Sequence, residues 1–159
     1  MTFKSRHYQE KALEEIRGFF RQKRKKVILQ LATGGGKTAV FCEIAKQTAD
    51  NGKNVIIVIR GKSLVDQASV RLSGYGVQHG VLMANDKRYD PTKKVQVVSI
   101  DTCIRREDYP PADLVVIDEA HLAGSDSFKK LVENYKDAFM VSVTATPWVE
   151  DGLMHLVSD

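Results

Sequence analysis

The chain has 159 residues, of which 43% are hydrophobic and 28% charged, with a formal net charge of +4. That length suits one domain with a core of its own, and the composition is that of a globular protein rather than a disordered or fibrous one. No apolar run approaches the roughly 20 residues that span a bilayer, and residues 1–6 lack an apolar signal stretch, so a cytoplasmic protein without a membrane partner is expected.

The charge is unevenly placed. Residues 1–62 hold 14 Lys and Arg against 5 Asp and Glu, whereas residues 63–159 hold 10 against 15. A helix is predicted over 7–21, with Ser5 as N-cap and Ala12, Leu13, Ile16, Phe19 and Phe20 on one stripe. The basic cluster at 21–26 then suits either a solvated helix C-terminus or contact with a nucleic-acid backbone. A buried strand over 27–31 leads into a glycine loop and a helix over 38–49. A turn at 50–53 precedes an uninterrupted apolar strand over 54–60, of the kind covered on both faces in parallel sheets. Next come a helix over 62–72, a short strand over 77–83 and a polar loop over 85–94. Strands over 95–100 and 114–117, a helix over 128–135 and a strand over 139–143 complete the pattern. His7, His79 and His155 read as surface residues, and Cys42 and Cys103 as small buried thiols with no metal-ligand spacing.

Strands alternating with helices imply a doubly wound, mainly parallel α/β sheet. Ligands in such folds sit beyond the carboxyl ends of the strands. Four polar groups fall there: the glycine loop, Arg60, Asp118 with Glu119, and Thr144-Ala145-Thr146. In the loop Ala32-Thr33-Gly34-Gly35-Gly36-Lys37-Thr38, three glycines let the backbone curl and aim N–H groups at phosphate oxygens. Lys37 supplies a charge for the β- and γ-phosphates and Thr38 a hydroxyl for Mg²⁺, and the loop opens onto a helix N-terminus, which favours anions. Two adjacent carboxylates at an apolar strand end are costly unless a cation meets them. A triphosphate-bound Mg²⁺ would account for one, and the other could polarise the attacking water.

These residues resemble the superfamily 2 DEAD/DEAH-type helicases and nucleic-acid translocases, and the resemblance covers their first RecA-like domain, essentially all of 1–159. Arg6-His7-Tyr8-Gln9 resembles the motif that contacts adenine, which implies nucleotide contacts by Arg6 and Gln9. Residues 32–38 are similar to motif I, whose form accommodates Leu31 where the strict phosphate-loop pattern has glycine; Thr33, Gly34, Gly35, Gly36, Lys37 and Thr38 would hold ATP. Segments 59–67 and 99–102 resemble motifs Ia and Ib, implying contact with a bound strand by Arg60, Lys62, Ser99 and Thr102. Asp118-Glu119-Ala120-His121 resembles the DEAH motif and Thr144-Ala145-Thr146-Pro147 motif III. The resemblance implies that Thr38 and Asp118 hold Mg²⁺, that Glu119 activates water beside Lys37, and that His121, Thr144 and Thr146 couple hydrolysis to strand movement. The T-A-T-P form and the Tyr8-Gln9 start favour DNA over RNA, although Val149 stands where such relatives often carry a basic residue.

The family's second RecA-like domain, with its arginine finger, has no counterpart after Pro147. The expectation is therefore the N-terminal motor half of a longer protein, partnered in cis by that domain, binding ATP with feeble turnover alone. A nucleotide-gated nucleic-acid binding module without independent turnover is the alternative.

Overall fold

In this computed structural model the described residues are 7–23, 26–32, 37–118, 126–146 and 155–158. The chain alternates helix and strand as α1 (His7–Arg21), β1 (Lys26–Ala32), α2 (Lys37–Asp50), β2 (Val55–Ile59), α3 (Lys62–Gly74), β3 (His79–Leu82), β4 (Val95–Ser99), α4 (Ile100–Arg106), β5 (Leu114–Asp118), α5 (Asp126–Asn134), β6 (Phe139–Thr146) and β7 (His155–Ser158). The strands form one sheet in the order β3-β4-β2-β5-β6-β1-β7. All pairings among β1 to β6 are parallel, and β7 alone runs antiparallel, against β1.

Alternation along the strands divides the core in two. Val55, Ile57 and Ile59 of β2 point to one face with Val95, Val97, Leu114, Val116, Val141 and Val143, where α1, α2 and α3 contribute Leu13, Ile16, Val40, Phe41, Ile44, Val65 and Leu72. Ile56 and Val58 point to the other with Val98, Val115, Ile117 and Met140, against Ile100 and Cys103 of α4 and Leu131 of α5. Every residue of β2 and of β4 is consequently buried. This is the reason the apolar run of β2 is continuous: side chains alternate faces, and both faces are covered.

Four expectations are corrected. The strand expected over 95–100 stops at Ser99, because Ile100 opens α4, a seven-residue helix that the strand reading left out. Asp101 in its first turn and Arg105 and Arg106 in its last match the helix dipole. The strand expected over 77–83 narrows to His79–Leu82, since the Val77 N–H donates to Leu72 O (2.9 Å) in the turn leaving α3. β7 was not expected. His79 is not a surface residue: it is half-buried, its Nδ1 lies 2.9 Å from Val77 O and its Nε2 2.7 Å from Ser69 Oγ. Cys42 and Cys103 are buried, as expected. No helix among the described residues is long and apolar enough to cross a membrane.

The β3–β4 connection protects an edge. β3 is the outermost strand on its side, and unpaired edges invite association. The loop folds back so that the Val81 N–H donates to Arg88 O (3.2 Å). Gln96, buried on β4, then holds the returning chain through Nε2 to Asp90 O (2.6 Å) and Lys93 O (3.1 Å).

Candidate nucleotide and nucleic-acid rim

Because β1 to β6 are parallel, residues far apart in sequence reach one edge of the sheet. Ala32, Ile59, Leu82, Ser99, Asp118 and Thr146 are the last residues of their strands. Register sets their relative heights. Asp118 is level with Val143, and Val143 with Leu29, while Ala32 is level with Thr146. Strands lie about 4.8 Å apart, so the Asp118 backbone stands about 10 Å across from β1. β1 and β6 continue three residues past that level, about 10 Å at the usual strand rise, which makes a step beside the tip of β5. The chain leaving β1 enters α2 on the first face, and that leaving β5 enters α5 on the second. Departures to opposite faces at the carboxyl edge are the arrangement in which sheets of this kind usually take a ligand.

The expected site residues fall along this edge to differing extents. Lys37 and Thr38 are the first two residues of α2, Asp118 the last of β5, and Thr144 and Thr146 lie in the extension of β6. Gln9 lies in the first turn of α1. Arg6, Thr33, Gly34, Gly35, Gly36, Glu119 and His121, with Ser5, Pro147 and Val149, lie outside the described residues. Thr38 and Asp118 bring hydroxyl and carboxylate oxygens, hard donors that suit Mg²⁺. The 14-residue α2 brings a helix N-terminus that suits phosphate. By residue type alone the expected set is of the kind that ATP with Mg²⁺ would need.

Farther along the same edge the candidates for strand contact differ among themselves. Gly61, at φ +96°, turns the chain sharply between β2 and α3, a conformation that costs glycine little. It leaves Arg60 half-exposed and Lys62 exposed at the head of α3. Ser99 and Thr102 are buried, and Thr102 Oγ1 accepts the Ala84 N–H (2.9 Å). In this arrangement the Thr102 hydroxyl fastens the β3–β4 loop to α4, and neither side chain is open to a ligand.

Three carboxylates on this rim escaped the sequence reading. Asp101 Oδ1 lies 3.6 Å from Arg60 Nε. Asp66 and Asp86 grip Arg88: Nη2 donates to Asp66 Oδ1 (2.7 Å) and Asp86 Oδ2 (2.6 Å), and Nε to Asp86 Oδ1 (2.9 Å). These bonds from Arg88, helped by the charge of Lys62, hold the Asp86 carboxyl down to about 2, and they raise the Arg88 guanidinium above its ordinary value. Arg106 Nη2 donates to Ala84 O (2.7 Å), so the loop is tied from both sides. The available signal was position: Asp66 and Asp101 lie inside the two segments expected to touch a strand.

Comparison with known proteins agrees with this architecture. A Saccharomyces cerevisiae protein named as an ATP-dependent helicase (IRC3) is 32% identical over 145 residues, covering 82% of this chain. The chain spans about a fifth of the length of that relative and a quarter of that of a Lactococcus phage 51.5 kDa protein, which is 26% identical over 126 residues. The crystal structure of the UvsW helicase from bacteriophage T4 superposes with a TM-score of 0.74 at 17% identity, covering 94% of this chain and 54% of that one. The Hef helicase domain of Pyrococcus furiosus gives 0.67 at 21% identity, covering 91% and 34%. These two likenesses show the fold, a RecA-like α/β domain. The family model described as "Type III restriction enzyme, res subunit" matches residues 2–149, nearly the whole length, and the chain belongs to that family.

Proposed function

We propose that this chain is the ATP-binding and ATP-hydrolysing motor domain of a nucleic-acid helicase or translocase, acting on DNA rather than RNA. The observation that carries this reading is the shared edge: the neighbouring strands β1, β5 and β6, which run to the glycine loop, the acidic pair and the T-A-T segment, all end at one edge of the sheet. The helicase and restriction-enzyme names among its relatives support the same class. Lys37 and the loop amides of residues 33–36 would grip the phosphates, Arg6 and Gln9 the base, and Thr38 and Asp118 the Mg²⁺. Bound Mg²⁺ neutralises charge on the phosphoryl group being transferred. Glu119 would take the proton of the attacking water, and His121, Thr144 and Thr146 would pass the change to the strand-contact rim. A second RecA-like domain in cis would supply the arginine finger, a contribution of about 10³–10⁵ in rate where measured.

The test is Glu119→Gln. Nucleotide affinity should stay near that of the parent while hydrolysis falls at least about tenfold, the lower part of the range for general-base catalysis. Equal loss of binding and hydrolysis would overturn the assignment. ATPase rates with and without single-stranded DNA distinguish turnover by this domain from nucleotide-gated binding.

A further inference from the structure

On the strand-contact rim, Arg60 is held in an incomplete arrangement. Its Nε is buried, yet it has no hydrogen-bond partner among the described residues. The nearest anion recorded for it is Asp101 Oδ1 at 3.6 Å, beyond normal hydrogen-bond length. Asp101 is 62% exposed and Arg60 36%, so solvent and ligands reach the pair. Asp101 also sits in the first turn of α4, on the helix whose Thr102 and Arg106 anchor the neighbouring loop. The backbone that carries Asp101 is therefore well tied, while the contact between its exposed carboxylate and the guanidinium is a loose one. A guanidinium fork binds a phosphodiester bidentately at shorter range than this, so a phosphate is the better partner for Arg60.

We infer that Asp101 is an internal stand-in for a nucleic-acid phosphate: it occupies Arg60 when no strand is bound and must be displaced for Arg60 to make its phosphate contact. Asp101 is thus a positioning residue that lowers resting affinity for nucleic acid and keeps the rim from binding polyanions indiscriminately. This rests on the proposed nucleic-acid reading. It goes beyond that reading in assigning an antagonistic role to a residue of the same segment as Ser99 and Thr102.

The experiment is fluorescence-anisotropy titration of a labelled single-stranded DNA oligonucleotide at several salt concentrations. The chains are the parent, Asp101→Asn, Arg60→Ala, the double variant, and Glu107→Gln as a control for net charge on α4's far end. Asp101→Asn should bind about two- to fivefold more tightly, the range an exposed ion pair is worth. The gain should disappear in the Arg60→Ala background, and Glu107→Gln should match the parent. A thermal melt of each chain separates loss of binding from loss of fold. Unchanged or weaker binding by a folded Asp101→Asn, a gain that survives Arg60→Ala, or an equal gain in Glu107→Gln would overturn the inference while leaving the nucleic-acid reading in place. No measurable binding by any of the five chains would overturn both.

Discussion

Among the described glycines, Gly80 of β3 is the one where an added methyl group would meet the tightest surroundings. A Cβ there would collide with Gln96 Oε1 and lie 2.9 Å from the carbonyl oxygen and 3.0 Å from the amide nitrogen of Asp90. The Gln96 amide cannot simply swing away, because its Nε2 is committed to Asp90 O and Lys93 O. The Asp90 contacts are to backbone, which yields less readily than a side-chain tip. Overpacking of this kind costs about 1–3 kcal/mol, or about 2–4 °C of Tm for each kcal/mol in a chain of this size. Gly80→Ala, Gln96→Ala and the double variant, unfolded in urea and followed by circular dichroism, form a cycle. The double variant should be less destabilised than the sum of the singles, since truncating Gln96 removes the worst collision, and less stable than the parent, since the Asp90 backbone remains. Gly80→Ala within about 0.5 kcal/mol of the parent, the ordinary range for surface changes, or strict additivity around the cycle, would refute the clasp.

Other outcomes are as direct. The Asp86 carboxyl is depressed to about 2 in the folded chain, so its contribution should be in force above about pH 4, the ordinary carboxylate value, and lost as pH falls through about 2. Stability curves of the parent and Asp86→Asn should differ at neutral pH, by under about 1 kcal/mol given the exposure of Arg88, and converge in acid. Burial pushes both the Cys42 and the Cys103 thiol up to about 12, so a disulfide reagent at pH 8 should label neither in the native chain and both in urea. Lys37→Ala should weaken binding of a fluorescent ATP analogue by about 10- to 100-fold, the worth of a charged hydrogen bond, with little change in melting temperature.

What could be read in advance followed from periodicity and from burial on both faces. The run of β2 is apolar at all five positions because helices cover both sides, and that pattern has few other readings at five residues, whereas β4, equally buried, carries Gln96 and Ser99 among its valines. α4 gave no such signal. In seven residues only Ile100, Thr102 and Cys103 are buried, too few to set a helical period, and Ile100 continues the preceding strand's apolar run. β7 pairs with β1 through main-chain register that ends at Val27 and Gln30, and a four-residue edge strand carries little pattern. His79 looked like surface because its partners, Ser69 and the Val77 carbonyl, are respectively ten and two residues away. The proposed nucleotide side is marked in composition, three glycines before a lysine and two carboxylates after an apolar strand, and the three glycines and Glu119 lie outside the described residues. The ion pairs of the strand-contact side were not, because Asp66–Arg88 and Arg60–Asp101 join residues 22 and 41 positions apart, linked only by the fold.

Those pairs change what the basic rim can do. Arg60 faces Asp101, and Arg88 faces both Asp66 and Asp86, so two of its cations meet carboxylates at rest while Lys62 stays exposed. A rim of free lysines and arginines would gain affinity from each counterion released by a phosphate, about 0.7 in the salt slope per contact for single strands. Where a carboxylate already plays the counterion, a phosphate must replace it, and the net release is smaller. On the proposed reading the affinity of this domain for DNA should therefore be less salt-dependent than its cations suggest, and selectivity for a correctly seated strand should come from exchange at fixed positions such as Arg60. Arg88 is the contrasting case. Its two carboxylates and the Val81 bond to its carbonyl commit it to holding the edge of β3, so replacing it should cost stability where replacing Arg60 costs binding.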